Sequence, residues 1–216
     1  MCYTFDGGGE NVIDNETFSA DLATVSIRGV NIHPAIAKDT MVNAVRAASR
    51  FLAELPPELS PEQTEGRQGF LHPYVIEGGV AVVTIKILLR DFDATRFVEF
   101  RRILEDALQR MQATTPEVSY EIDFQKQYRN MGEGLAKDPR AIEYAIEAHR
   151  ILGREPVLEQ IRGGTDGSRL TELGLPTPNL SSGQHNIHSP LEWACLDEMC
   201  GACEVGIEIL RRWSRG

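Results

Sequence analysis

The chain has no run of uninterrupted apolar residues near the ~18 that a membrane-spanning helix needs. The longest, Val80 to Leu89, already contains Lys86 and reads as a strand. Basic residues are outnumbered, 22 against 32 acidic, for a net charge of -10. That sign argues against a phosphate backbone or an anionic lipid surface as partner. Beyond Arg211, Arg212 and Arg215 at the tail there is no basic cluster. The N-terminus lacks the basic-then-apolar order of a signal peptide, so the expected compartment is cytoplasmic. The patterns G-x-S-x-G, the P-loop and H-E-x-x-H are absent, which removes the common serine hydrolase, nucleotide and single-zinc protease readings.

Cysteine is sparse. Cys2, Cys195, Cys200 and Cys203 do not form a disulfide framework. Cys200 and Cys203 make one C-x-x-C, which raises metal or redox chemistry. However, Trp193, Leu196, Cys200, Cys203, Ile207 and Leu210 recur at spacings 3, 4, 3, 4, 3. That is the buried stripe of a helix, and core packing is the preferred expectation.

What is present is ordinary for a folded protein: 42% hydrophobic and 25% charged residues over 216 positions, enough for one large domain or two modest ones. Phe18 to Arg28 alternates as a half-buried strand. Met41 to Leu55 has helical spacing and ends before Pro56-Pro57. Phe70 to Ile76 and Val80 to Leu89 are strands joined at Gly78-Gly79. Thr95 to Met111 is a helix with Phe97, Phe100, Leu104 and Leu108 inward, and Val118 to Phe124 alternates again. The order βαββαβ is that of a compact α+β domain.

On either side of this block the pattern changes. A helix follows Asp138-Pro139, with Ala141, Ala145 and Leu152 on one face and Gly153 at its end. A strand at 156–161, a short helix near 168–173, a strand at 175–180 and a helix from about 190 to 212 come next. Strand–helix alternation builds a parallel sheet, and residues 1–6 would be another strand of it. The expected fold is therefore a partial α/β unit with an incomplete parallel or mixed sheet, interrupted by an inserted α+β domain. About three strands are too few for such a sheet, commonly ~5–6, so the rest is expected upstream.

The candidate site residues follow the short apolar runs. Asp6 precedes Gly7-Gly8-Gly9, a turn that leaves its carboxylate uncovered. Arg162 precedes Gly163 and Gly164, a fixed cation beside backbone amides suited to a carboxylate or an oxyanion. His185 and His188 follow the last run, and Glu192 sits where a helix would accept a cap. If the runs are parallel strands, these segments converge at the carboxyl edge of one sheet. Against this stand plainer readings: Asp-Gly as a turn, His188 as a surface residue, and Arg162 in a salt bridge with Asp166. Asp and His suit zinc, but two ligands are too few for a catalytic centre. His33, before Pro34, reads as a solvated loop residue, His149 as core packing, and His72 has no role. The Pro- and Glu-rich stretch from Pro56 to Gly69 is a solvated excursion or flap.

At these residues the chain resembles the peptidase T family of di-zinc exopeptidases. The matching segments are Tyr3 to Gly8, Asn31-Ile32-His33-Pro34, Ala37-Lys38, Met41 to Ala44, Thr64-Glu65-Gly66, Gly69-Phe70, Arg90 to Asp93, Ile161 to Gly167 and His188 to Glu192. The resemblance implies a metal-dependent aminotripeptidase whose catalytic domain (1–16 and 130–216) is interrupted by a lid and dimerisation domain (17–129). It implies that Asp6 binds one zinc and His188 the other. Arg162, with Gly163 and Gly164, would clamp the peptide's carboxylate. His33, in a catalytic role, and Asn43 would reach substrate or the tetrahedral oxyanion, in a partner subunit's site of a homodimer. The family's His-x-Asp, bridging Asp and Glu-Glu pair are not among these residues, so the expectation for this chain alone is negligible turnover. Two alternatives stay open: a non-catalytic dimerisation or ligand-binding module, and a related acyl-amino acid amidohydrolase or carboxypeptidase.

Overall fold

The structure is a computed structural model and describes residues 1–215. In chain order the strands are β1 (Thr4–Gly8), β2 (Val12–Thr17), β3 (Ser19–Arg28), β4 (Phe70–Gly78), β5 (Val82–Asp91), β6 (Ser119–Tyr128), β7 (Val157–Ile161), β8 (Asn179–His185) and β9 (Trp193–Ala194). The helices are α1 (Ala44–Ala53), α2 (Phe97–Thr114), α3 (Gly132–Leu135), α4 (Arg140–Ile151), α5 (Asp166–Glu172) and α6 (Leu196–Trp213). The chain divides into two compact units, one of Met1–Ser19 with the residues from Tyr128 onward, the other Ala20–Gln127. The fold is mixed α/β with two sheets.

The inserted unit carries a four-stranded sheet in the order β4-β5-β3-β6. Ala23, Val25 and Ile27 of β3 alternate inward, as do Val83, Ile85, Ile87 and Leu89 of β5. They meet Ala44, Ala47, Ala48 and Phe51 of α1 and Phe97, Phe100, Leu104 and Leu108 of α2 in one core. Period-2 strands and a period-3.6 stripe thus bury the same layer. Pro73 lies on the edge strand β4 next to a register shift, where its missing N–H costs no ladder bond. The stretch expected to be a flap folds into two short 3-10 turns, Pro57–Leu59 and Pro61–Gln63.

The other unit has a five-stranded sheet in the order β1-β8-β2-β7, with β9 added to β8. β1 and β8 are parallel, β2 and β7 are parallel, but β2 and β8 are antiparallel. Of the two forms expected, parallel or mixed, the sheet is the mixed one, and the expected count of about three strands is corrected to five. β2 (VIDNET) has only two apolar residues, yet it lies in mid-sheet and buries Asp14 (6% exposed). The strand expected at 175–180 begins later, at Asn179, because Pro176 and Pro178 cannot donate to a ladder. Their carbonyls still accept from Cys2 and Thr4. Ile13, Leu180, Ala145, Ala148, Val205 and Ile209 form the core, with α4 and α6 packed on the sheet. His149 is buried, as expected, its Nδ1 2.8 Å from the Ala145 carbonyl.

α6 differs from expectation in a second way. It starts at Leu196, not near 190, and the stripe expected to be inward is outward. Cys200 and Cys203 are exposed, and Leu196 and Leu210 are 72% and 71% exposed. Val205 and Ile209 face the core instead. The helix has apolar residues on two faces, and periodicity does not say which one a chain covers.

Asp14 gives this unit a pH signature. Burial pushes its carboxyl up from 3.8 to about 6, against a hydrogen bond from Asn179 that lowers it. The folded chain therefore holds this proton more tightly than the unfolded chain does. The stability it contributes is fully present below about pH 4 and is lost as the pH rises through about 6, a difference on the order of 3 kcal/mol. Asp14→Asn keeps an acceptor for Asn179 and is expected to remove that loss. Urea unfolding of wild type and variant at about pH 4.5 and about pH 7.5 checks it; equal pH differences in the two proteins would count against the account.

Candidate functional site

Asp6 lies on β1, and His188 follows the carboxyl end of the parallel neighbour, β8. β1 carries Asp6 with its side chain exposed, and the β1–β8 register slips on both sides of Gly7. A Cβ at Gly7 would stand 2.9 Å from the Leu180 carbonyl oxygen, so glycine is what allows the close approach. Asn179, the first residue of β8, anchors β1: its Oδ1 accepts from Thr4 Oγ1 (2.8 Å) and the Asp6 amide (3.2 Å). Its Nδ2 donates to the buried Asp14 carboxylate at 2.8 Å. Gln184 Nε2 on β8 approaches the Asp6 carboxylate at 3.4 Å and donates to Ser182 Oγ at 2.8 Å.

β8 then leads into the turn that carries His188. Asn186 and His188 both have left-handed backbone, φ 53° and 62°, a conformation that these residue types visit more often than most. Glu192 closes the turn by accepting from the His188 amide at 2.7 Å. The expectation that Glu192 caps a helix is thus corrected, since α6 begins four residues later behind Cys195. His185 is fixed separately: its Nε2 lies 2.6 Å from Glu198 Oε2, and its ring stacks on Trp193 with centroids 4.1 Å apart.

Arg162 stands elsewhere. β7 runs antiparallel to β8, so its carboxyl end emerges at the opposite edge from the His188 turn, and β7 and β1 are the outer strands of the four-strand path. Three strand spacings, about 14 Å, separate them across the sheet alone. The expected convergence of all three segments within one unit does not occur, because it assumed parallel strands throughout. The Arg162 guanidinium lies 5.2 Å from the ring centroid of the buried Phe18. The Gly163 carbonyl accepts from the Phe18 amide at 3.1 Å, and a Cβ at Gly164 would collide with the Tyr128 ring. Thr165 then caps α5 in a capping box with Ser168. Gly164 has a packing role that the spacing alone did not reveal.

His33 and Asn43 belong to the inserted unit, at the two ends of a loop tied by the Val30–Val42 bridge. His33 Nδ1 accepts from the Ala35 amide at 3.2 Å, which leaves a proton on Nε2. Asn43 caps α1, its Oδ1 accepting from the Val45 and Arg46 amides. Its NH2 group keeps its donors. Both side chains therefore spend acceptors locally and retain donors, the polarity an oxyanion requires. Beside them a cleft of about 840 Å³ is lined by Lys38, Asn43, Arg46 and Arg50 among others.

The donor chemistry of Asp6 and His188 suits zinc. Among the described residues, however, no group of three His, Cys, Asp or Glu side chains is placed to hold a metal ion.

Comparison with known proteins decides the relationship. Residues 15–119 match the peptidase dimerisation domain. The peptidase T of Macrococcus caseolyticus is 38% identical over 213 residues, covering 99% of this chain and 52% of the relative. That of Staphylococcus carnosus is 40% identical over 205 residues, 95% of this chain and 50% of the relative. The chain is similar to peptidase T over nearly its whole length. It corresponds to the C-terminal portion, and it spans about half the length of the curated relatives it matches. A tripeptidase from Staphylococcus aureus superposes with a TM-score of 0.82 at 18% identity, covering 99% of this chain and 57% of that one. An aminopeptidase from Bacillus cereus gives 0.77 at 22% identity, with 96% and 55% covered. At those identities the superpositions speak for the fold. No helix among the described residues is long and apolar enough to cross a membrane.

Proposed function

We propose that this chain contributes the dimerisation unit and part of the metal site of a zinc-dependent aminotripeptidase, which releases the N-terminal residue of tripeptides. What carries the reading is a sequence 38% identical to peptidase T across 99% of its length, with Asp6 on β1 and His188 in the turn that follows its parallel neighbour β8. In this reading each of the two residues binds one zinc, which when bound supplies an activated water and polarises the scissile carbonyl. His33 and Asn43 offer N–H donors to the substrate or the oxyanion, and residues 15–119 pair two copies as a homodimer. With an incomplete ligand set, the chain alone is proposed to bind peptide and dimerise but not to turn over.

Hydrolysis of a free-amine tripeptide and of its N-acylated counterpart, by the chain alone and after completion with the remaining half, tests the activity. Turnover of the free-amine peptide only after completion supports it; preference for the acylated one moves the substrate to the amidohydrolase class. Arg162 has its own test. As a carboxylate clamp it acts on peptide binding, so Arg162→Ala in the completed enzyme is expected to raise KM about tenfold or more with little change in kcat for a tripeptide, and to leave a C-terminally amidated peptide unaffected. Equal effects on both peptides would leave Arg162 only its packing against Phe18.

A further inference from the structure

Asn179 is the side chain on which three strands of the five-stranded sheet meet. It is fully buried, and the two ends of its amide serve different strands. Nδ2 donates to Asp14 Oδ2 on β2 at 2.8 Å, while Oδ1 accepts from Thr4 Oγ1 and from the Asp6 amide, both on β1. Asp14 and Asn179 are also direct partners in the short antiparallel pairing of β2 with β8. Asp6 itself falls where β1 slips in register against β8, between Phe5 and Gly7. A side chain holds its amide at that irregular step.

A carboxamide can be turned end for end with almost no change of shape, which exchanges its donor and its acceptor. The neighbours of Asn179 are one-way groups. The ionised Asp14 carboxylate only accepts, and the Asp6 N–H only donates. One orientation satisfies both. The reverse sets an oxygen against a carboxylate and an NH2 against an N–H, and at a buried place such mispairing is costly. Asp14 therefore decides which end of the amide β1 meets. A second buried bond marks the contrast: Ser181 Oγ accepts from the Val12 amide at 3.1 Å, tying β2 to β8 as well, but it stops short of β1.

We propose that Asp14 is a positioning residue for the metal site: its carboxylate fixes the orientation of Asn179, and through it the backbone that presents Asp6. The inference rests on the reading of Asp6 as a zinc ligand. It adds to that reading a residue of β2, a strand that otherwise contributes nothing to the site.

Two readouts test it: amide exchange at Asp6 in the 216-residue chain without metal, and zinc content with kcat and KM in the completed enzyme. Asp14→Ala is expected to speed exchange at Asp6 about tenfold or more. Bound zinc and kcat are expected to fall together, kcat by about 10- to 100-fold, with KM nearly unchanged. Asp14→Asn still turns an oxygen toward Nδ2 and is expected to restore both readouts. Ser181→Ala cuts only the β2–β8 tie and is expected to leave both at the wild-type level. Asn179→Asp sets two carboxylates face to face, and adding Asp14→Asn returns a donor to the pair, so the double variant is expected to regain the zinc that the single one loses. These two variants conserve size, which keeps the test intact even where Asp14→Ala fails to fold. Unchanged exchange in Asp14→Ala overturns the inference, as does a double variant no better than Asn179→Asp. Equal losses in Asp14→Ala and Ser181→Ala overturn it too, leaving Asp14 a structural role only. If Asp6→Asn keeps its zinc, the metal reading fails by itself, while the exchange result still reports on Asp14.

Discussion

Asp6→Asn in the completed enzyme is expected to lower kcat/KM for a tripeptide by about a thousandfold or more, roughly 4 kcal/mol of transition-state stabilisation. The substitution conserves size and the nearby Gln184 amide, so β1 has no steric reason to move. What it removes is a negative charge at an exposed position whose backbone is already anchored by Asn179. A carboxamide is a far poorer ligand for a divalent cation than a carboxylate, and bound zinc should fall with the rate. His188→Ala is expected to behave alike. Asn179→Ala leaves the carboxylate in place but loosens the strand that presents it, and an effect of about 10- to 100-fold is expected, the scale of support around metal ligands. Zinc content and kcat/KM measured together decide it. Full zinc and full rate in Asp6→Asn would show that this carboxylate is no ligand and that the resemblance misplaces the metal.

Phe100→Ala is expected to cost about 3–5 kcal/mol in the inserted unit, a large part of the stability a domain of this size possesses. Phe100 is fully buried on α2, its ring 6.2 Å from that of Phe97, in the layer where both helices meet β3 and β5. The chain offers a way to see where the loss falls. Both tryptophans, Trp193 and Trp213, lie in the unit outside Ala20–Gln127. If the two units unfold separately, urea titration should show the variant's circular dichroism transition moving to lower urea while tryptophan fluorescence keeps its midpoint. Both signals moving together would mean that the units melt as one.

How much of this was readable in advance differs between the units. For the inserted unit nearly every element was, because its alternating strands and its α2 stripe bury one face each, and a one-sided element writes its burial into its period. Phe97, Phe100, Leu104 and Leu108 are the plainest case. For the other unit the same logic failed at β2, whose Asp14 is buried by neighbours on both sides and solvated by Asn179 in place of water. It failed again at α6, which has two apolar faces. The site was half legible. Asp-Gly-Gly-Gly and the His188 loop carried visible signals, whereas Asn179 and Gln184 had none. Asp6, which both contact, lies more than 170 positions away, and pairing at that separation leaves no local spacing to find.

Residue chemistry by itself determined that the chain has two building patterns, that Asp6 and His188 are residue types suited to a divalent metal, and that acidic residues outnumber basic ones. Only the tertiary structure decided which way the strands run. Strand direction comes from connections and pairing, not from the composition of a strand, and one antiparallel step between β2 and β8 was enough to send Arg162 to the edge opposite the His188 turn.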